Sequence, residues 1–184
     1  MNGLSNSAAK VLDFLLAPLV WCAVSWVRQR RAVILRSGTV LAPDAIAFAR
    51  GLDIASAESV RVMTAAEVPL PLPRIARKLG LRAGWIAPHI AGMTLGYGIV
   101  LREDCSGDGC LLAHELMHVR QYERLGGIHG FLRQYLRECV WPGYPRGALE
   151  VEARAVEVRG STRWTDVIPY TAINAVRHER CVTS

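Results

Sequence analysis

Residues 114–118 read His-Glu-Leu-Met-His. On a helix, His114 and His118 stand at i and i+4, one turn apart on a single face, so both imidazoles can reach one Zn²⁺ at about 2.0–2.1 Å. Glu115 falls next to them around the helix, off the metal, where a carboxylate can hold and deprotonate a zinc-activated water. The chemistry needs each residue type: neutral imidazole is a good borderline ligand, and the free carboxylate is a suitable base. With 5 histidines in 184 residues, chance supplies this pattern only about 0.007 times. An ordinary helix carrying two histidines by accident is therefore the poorer reading. The flanks agree, because Leu112, Leu116 and Val119 form an apolar stripe that would bury the back of the helix.

A catalytic zinc takes three protein ligands and leaves a fourth position for water. Residues 148–159 read as a later helix, uninterrupted by Gly or Pro and ended by Gly160. It carries Glu150, Glu152 and Glu157 between two apolar faces, Leu149/Ala153/Val156 and Val151/Ala155/Val158. A helix apolar on two sides is packed on two sides, which draws the acids between them inward, where they need a partner or a metal. Glu150 is the first choice of ligand and Glu152 the second. The plainer alternative is a pair of solvated carboxylates, with Glu150 bridging Arg154 at i+4.

His114-Glu-Leu-Met-His118 on one helix, followed by Glu150-Val-Glu-Ala-Arg154 on a later one, resembles the gluzincin clan of zinc metallopeptidases. In several of its families the third ligand is a Glu three residues before an Ala, which maps onto Glu150 and Ala153. The resemblance covers residues 94–160, about a third of the chain. It implies a zincin-like α+β fold, a small sheet with an edge strand packed on the motif helix, and hydrolysis of a peptide or protein substrate. It further implies His114, His118 and Glu150 as ligands of Zn²⁺ and Glu115 as general base and acid. One departure matters. Several such families place Asp after that Ala as a partner for a ligand histidine, and this chain has Arg154, so the histidines must be oriented by other groups.

Residues 94–102 read as one strand, with Leu95, Tyr97, Ile99 and Leu101 on one face and Gly96 and Gly98 on the other, open to close approach of a neighbour. In zincins an edge strand before the motif helix pairs with extended substrate, and the resemblance gives this strand that role through β-augmentation. Cys105-Ser-Gly-Asp-Gly-Cys110 is the turn into the motif helix. A donor to the developing carbonyl oxyanion would complete the site. Tyr144, in the loop before the third-ligand helix, is the favoured candidate, with Tyr135, Arg137 and His129 behind it. Tyr122, at i+4 from His118, reads as a packing residue, and the isolated His89, His129 and His178 read as surface or structural groups.

At 184 residues the chain is one domain by length, with no repeat or low-complexity tract. Five scattered cysteines (Cys22, Cys105, Cys110, Cys139, Cys181) do not resemble a secreted disulfide framework, which points to a cytoplasmic or inner-face membrane-associated location. The net charge of +6 is partly concentrated in Arg28-Gln-Arg-Arg31, but no nucleic-acid motif accompanies it, so nucleic acid is not an expected partner. Residues 11–27 are strongly apolar, broken by Asp13 and Pro18. They could span a bilayer with the catalytic part cytoplasmic, lie on its surface with Trp21 and Trp26 at the interface, or form a buried helix with Asp13 near its start. Membrane association through residues 11–31 is the preferred of these. A division follows into an apolar N-terminal helix (1–31) and a zincin-like domain (32–184). Within the latter, 43–50 and 128–139 read as helices, 59–63 as a strand, and Pro69-Leu-Pro-Leu-Pro73 as an ordered loop that could border the cleft.

Two functional classes are compatible with these residues. One is a zinc metallopeptidase. The other is a catalytically inactive zincin-like module with structural zinc, its fourth position closed by Cys105 or Cys110, acting as a membrane-linked binding or regulatory protein.

Overall fold

In the computed structural model the described residues are 6–71 and 90–160, so His89, His178, Cys181 and the end of the proline-rich loop lie outside them. The fold is α+β. The first element is a long helix, α1 (Asn6–Ser37), which keeps Pro18 inside it on an exposed face. Val20, Val24, Val27 and Ile34 recur at helical spacing and all are buried. That stripe, rather than the charge run, decides where the helix ends: the helix passes through Arg28–Arg31, which are good helix formers, and stops after Ile34 has been buried. Gly38 follows as its chain-turning residue, its N–H bonded to the Ile34 carbonyl at 2.7 Å.

Four short strands make a mixed sheet in the order β1-β2-β4-β3: β1 (Thr39–Val40), β2 (Arg61–Ala65), β3 (Gly92–Leu95) and β4 (Gly98–Arg102). β2 runs parallel to β4, and the outer pairs are antiparallel. The stretch read as a single strand over 94–102 is therefore a hairpin. Gly96 adopts φ +69° at the first position of a two-residue turn, the conformation only glycine takes freely. The turn carries no Asn or Asp, and its flanks are apolar on both sides, which is why alternation runs through it unbroken. Its effect is to put Leu95 and Ile99 on opposite faces, since Leu95 pairs Gly98 and Thr94 pairs Ile99. The strand read over 59–63 begins two residues later, after a 3₁₀ turn at Ala57–Ser59.

One face of the sheet packs on α1. Gly98 makes this possible, because a Cβ there would sit 3.2 Å from the Ile34 side chain. On the other face, Val62, Ile99 and Leu101 meet α2 (Pro43–Gly51) and α3 (Gly109–Arg124) in a core with Leu112, Leu116 and Val119. Asp108 caps α3, accepting from the N–H groups of Cys110 and Leu111 at 2.9 and 3.2 Å. α4 (Ile128–Glu138) packs against α1, and α5 (Ala148–Gly160) packs against α3. Among the described residues β3 is a sheet edge, beside α3.

Candidate metal centre

α3 delivers His114 and His118 from one face, and the first turn of α5 brings Glu150 opposite them. The Nε2 atoms of the two rings lie 3.0 Å apart. Glu150 Oε2 is 3.6 Å from His114 Nε2, and its Oε1 is 3.6 Å from His118 Nε2. These three side chains form a group that could hold a metal ion, the candidate ligand atoms all within 4.8 Å of one another. Neither Cys105 nor Cys110 belongs to it. The Cys105 sulfur faces Arg102 and Asp104 instead, and both thiols are free. Glu150 is 5% exposed, so it is not a solvated helix carboxylate. Arg154 lies 3.8 Å from it, but its stronger bond is to the Pro145 carbonyl at 2.6 Å.

The outer ring nitrogens are both tied. Gln121 donates through Nε2 to the Leu149 carbonyl and to Glu152 Oε2, each at 2.9 Å. Its Oε1 therefore faces His118 Nδ1 at 2.7 Å, and the ring must be the donor. His114 Nδ1 donates to Glu157 Oε1 at 2.6 Å. Burial and the adjacent His118 ring push the His114 pKa down to about 4, so this ring is neutral at physiological pH. With Nδ1 of each ring facing a side-chain oxygen, the two Nε2 atoms turn towards each other and towards the Glu150 carboxylate. Two imidazole nitrogens and a carboxylate converging on one point are a donor set that suits a metal cation.

Gln121 and Glu157 thus supply the orientation that Arg154 could not. Both stand on the required faces by spacing, Gln121 at i+3 from His118 and Glu157 at i+7 from Glu150. Spacing alone could have nominated them; it could not show which nitrogens they would meet. Glu152 turns the other way, to a two-pronged contact with Arg124 at 2.6 Å on each side. Tyr135 donates to Glu150 Oε1 at 2.8 Å, and its burial beside Glu150 holds the phenol protonated, so it is a partner of the ligand acid.

Glu115 is 4% exposed. Thr94 Oγ1 donates to its Oε2 at 2.6 Å and meets its backbone carbonyl at 2.9 Å. Two residues along β3, Gly92 presents the same face, and a Cβ there would lie 2.5 Å from Glu115 Oε1. A strand alternation therefore holds one oxygen of the acid and clears space for the other. Burial raises the Glu115 pKa above the usual carboxylate range. No local signal in the sequence marks Thr94 or Gly92 for this task.

Both the cluster and Glu115 line a cavity of about 490 Å³ that also takes in β3. Its walls are largely apolar, with Trp26 and Val27 from α1 and Leu132 and Leu136 from α4, and Leu70 and Pro71 border it. Tyr144 is on the same lining, half-exposed, its phenol pKa raised by burial and by Glu150. The other oxyanion candidates are committed elsewhere. Arg137 reaches Asp13 at 3.2 Å, and His129 lies against the Trp21 ring at 5.6 Å between centroids. Tyr122 stacks on Phe131 at 3.8 Å and donates to the Thr94 carbonyl at 3.2 Å.

No family model, curated protein or solved structure matches this chain.

Proposed function

We propose that this chain is a zinc metallopeptidase of the gluzincin type, with a zincin-like arrangement of edge strand and motif helix. The observation that carries the reading is the convergence of two Nε2 atoms and the Glu150 carboxylate, with the Glu115 carboxylate on the same cavity wall. Two atoms each about 2.0–2.1 Å from a tetrahedral ion are roughly 3.3 Å apart. The separations of 3.0, 3.6 and 3.6 Å lie on either side of that value. Imidazole and carboxylate in a set of three suit a catalytic Zn²⁺, whereas closed structural sites are rich in thiolate.

Bound there, zinc would supply a Lewis acid that makes water more acidic and polarises a carbonyl. The chain's own residues do the rest. Glu115 takes a proton from water at Oε1 and returns it to the leaving amine, while Thr94 fixes Oε2. The raised pKa brings its acid form closer to working pH, which suits a group that must both accept and release a proton. Tyr144 at the rim offers a hydroxyl to the carbonyl oxygen. The outer edge of β3 offers backbone groups to an extended peptide.

The test is metal analysis and peptide turnover on wild type, His118→Ala, Glu150→Ala and Glu115→Gln. The two ligand variants are expected to lose zinc. Glu115→Gln is expected to retain it and to lose turnover by about 10²–10⁴-fold. Cleavage that persists in Glu115→Gln overturns the mechanism, and zinc bound by a wild type that cleaves no peptide in a broad library overturns the peptidase reading.

A further inference from the structure

The exposed large apolar residues of the described chain are concentrated in two places. Val11, Phe14, Leu15, Leu19 and Trp21 stand on the first turns of α1, and Val140, Trp141 and Tyr144 stand in the loop after α4. Phe14 is 78% and Leu15 65% exposed, which is far from ordinary for side chains of this size. Taken at 100° per residue, Val11, Phe14, Leu15 and Leu19 fall on the side of α1 opposite its buried stripe of Val20, Val24 and Val27. Lys10 and Arg28 lie along one margin of this outer face and Arg30 along the other, all three exposed. Arg31 does not join them, since it turns inward over the Tyr97 ring at 5.7 Å. Trp26 also turns inward, to the cavity, so of the two tryptophans assigned to an interface only Trp21 is on this outer surface. The loop at 140–144 belongs to the same end of the molecule, because Arg137, just before it, contacts Asp13.

We infer that the outer face of α1 docks on an anionic lipid surface, with the helix axis lying along the membrane. Apolar side chains flanked by cations, with an aromatic at the margin, match the chemistry of the boundary between acyl chains and acidic headgroups. Length and composition alone would also allow α1 to cross a bilayer. Two contacts argue for the surface. Asp13 is bonded to Arg133 at 2.5 Å and lies against Arg137, so burying that turn in hydrocarbon would carry three charges with it. The inner stripe is already packed on Phe131, Leu132 and Leu95, leaving one side of the helix for lipid. The inference does not depend on the chemistry at the metal centre.

The experiment is flotation of the full chain with vesicles of phosphatidylcholine alone or of three parts phosphatidylcholine to one part phosphatidylglycerol. Binding to the anionic vesicles, weakened by salt, is expected. Phe14→Ser/Leu15→Ser/Leu19→Ser and, separately, Arg28→Glu/Arg30→Glu should each lower the bound fraction at least about tenfold while zinc content and helicity stay at wild-type levels. Four results overturn the proposal: no binding to anionic vesicles, equal binding by the variants, resistance to alkaline carbonate extraction as expected of a spanning helix, or a stable dimer in solution that the serine variant dissociates.

Discussion

Helices α1 and α3 pack on opposite faces of one sheet, and they depart from the usual sorting of residues in opposite senses. α3 buries Glu115, His118 and Gln121, polar groups that rarely leave water. α1 exposes Val11, Phe14, Leu15 and Leu19, apolar groups that rarely stay in it as a patch. The polar groups of α3 are each bonded to a neighbour, to Thr94, Gln121, Leu149 or Glu152. The apolar groups on the outer face of α1 have no such partner within the described chain. A buried polar group without compensation costs several kcal/mol, so α3 had to be solved internally. An exposed apolar face costs little in a folded monomer, so α1 can defer its solution to a partner. On the proposed reading chemistry lies on one helix and attachment on another, and the cavity is walled by the inner side of α1 and the His114–His118 side of α3.

The comparison is broken most severely if the bonds on α3 prove to be packing only. Gln121→Ala removes the acceptor that orients His118 and leaves the Leu149 carbonyl unpaired. Groups that orient metal-binding histidines are worth about 10–100-fold in metal affinity. Titration of the metal-free protein with Zn²⁺ should show a loss in that range. A variant that is destabilised yet binds zinc as wild type does would reduce Gln121 to a structural residue.

Gly92→Ala is the next step down. The added methyl meets Glu115 Oε1 at 2.5 Å on the cavity wall, so the acid or the strand must move. Overpacking of this kind costs about 1–3 kcal/mol. Urea unfolding should report that loss, and turnover should fall while zinc content stays at one per chain, because no ligand atom has been touched. Unchanged turnover would show that Glu115 does not need its present position.

How much of this was open to a reader of the sequence follows from range. His114, Glu115 and His118 are three residues on one turn, and helical geometry alone puts them together. The two apolar faces of the later helix indicated that its acids turn inward, but they left Glu150 and Glu152 both open, and the Glu-x-x-Ala resemblance favoured Glu150. Thr94 and Gly92 were hidden for a physical reason. They reach Glu115 only because a two-residue turn at Gly96–Tyr97 folds β3 back beside α3, and that turn lacks the polar residues that usually announce one. The apolar N-terminal segment was visible, but its extension to Ser37 was not, because the arginines that look like a boundary are helix formers and the buried stripe continues beneath them to Ile34.

The smallest expected effect tests the α1 side of the comparison. Asp13 is the acid by which α1 is bonded to α4, and the hydrogen bond from Arg133, with Arg137 alongside, holds its carboxyl below the usual carboxylate range. Its folded pKa is lower than its unfolded one, so the unfolded chain binds the proton first as pH falls. The contribution is therefore complete above the ordinary carboxylate pKa and is lost as pH drops through the folded value. Arg133 is 54% exposed, so solvent screening limits the pair to about 0.2–1 kcal/mol. Asp13→Asn should be less stable than wild type by that amount at neutral pH in urea unfolding, and the two curves should converge as the pH is taken below 4, by the linkage just given. A gap that persists at low pH would mean that Asp13 acts through packing rather than charge. It would also weaken the argument that this turn of α1 is too polar to enter hydrocarbon, since a neutral contact could follow the helix into a bilayer far more cheaply than an ion pair.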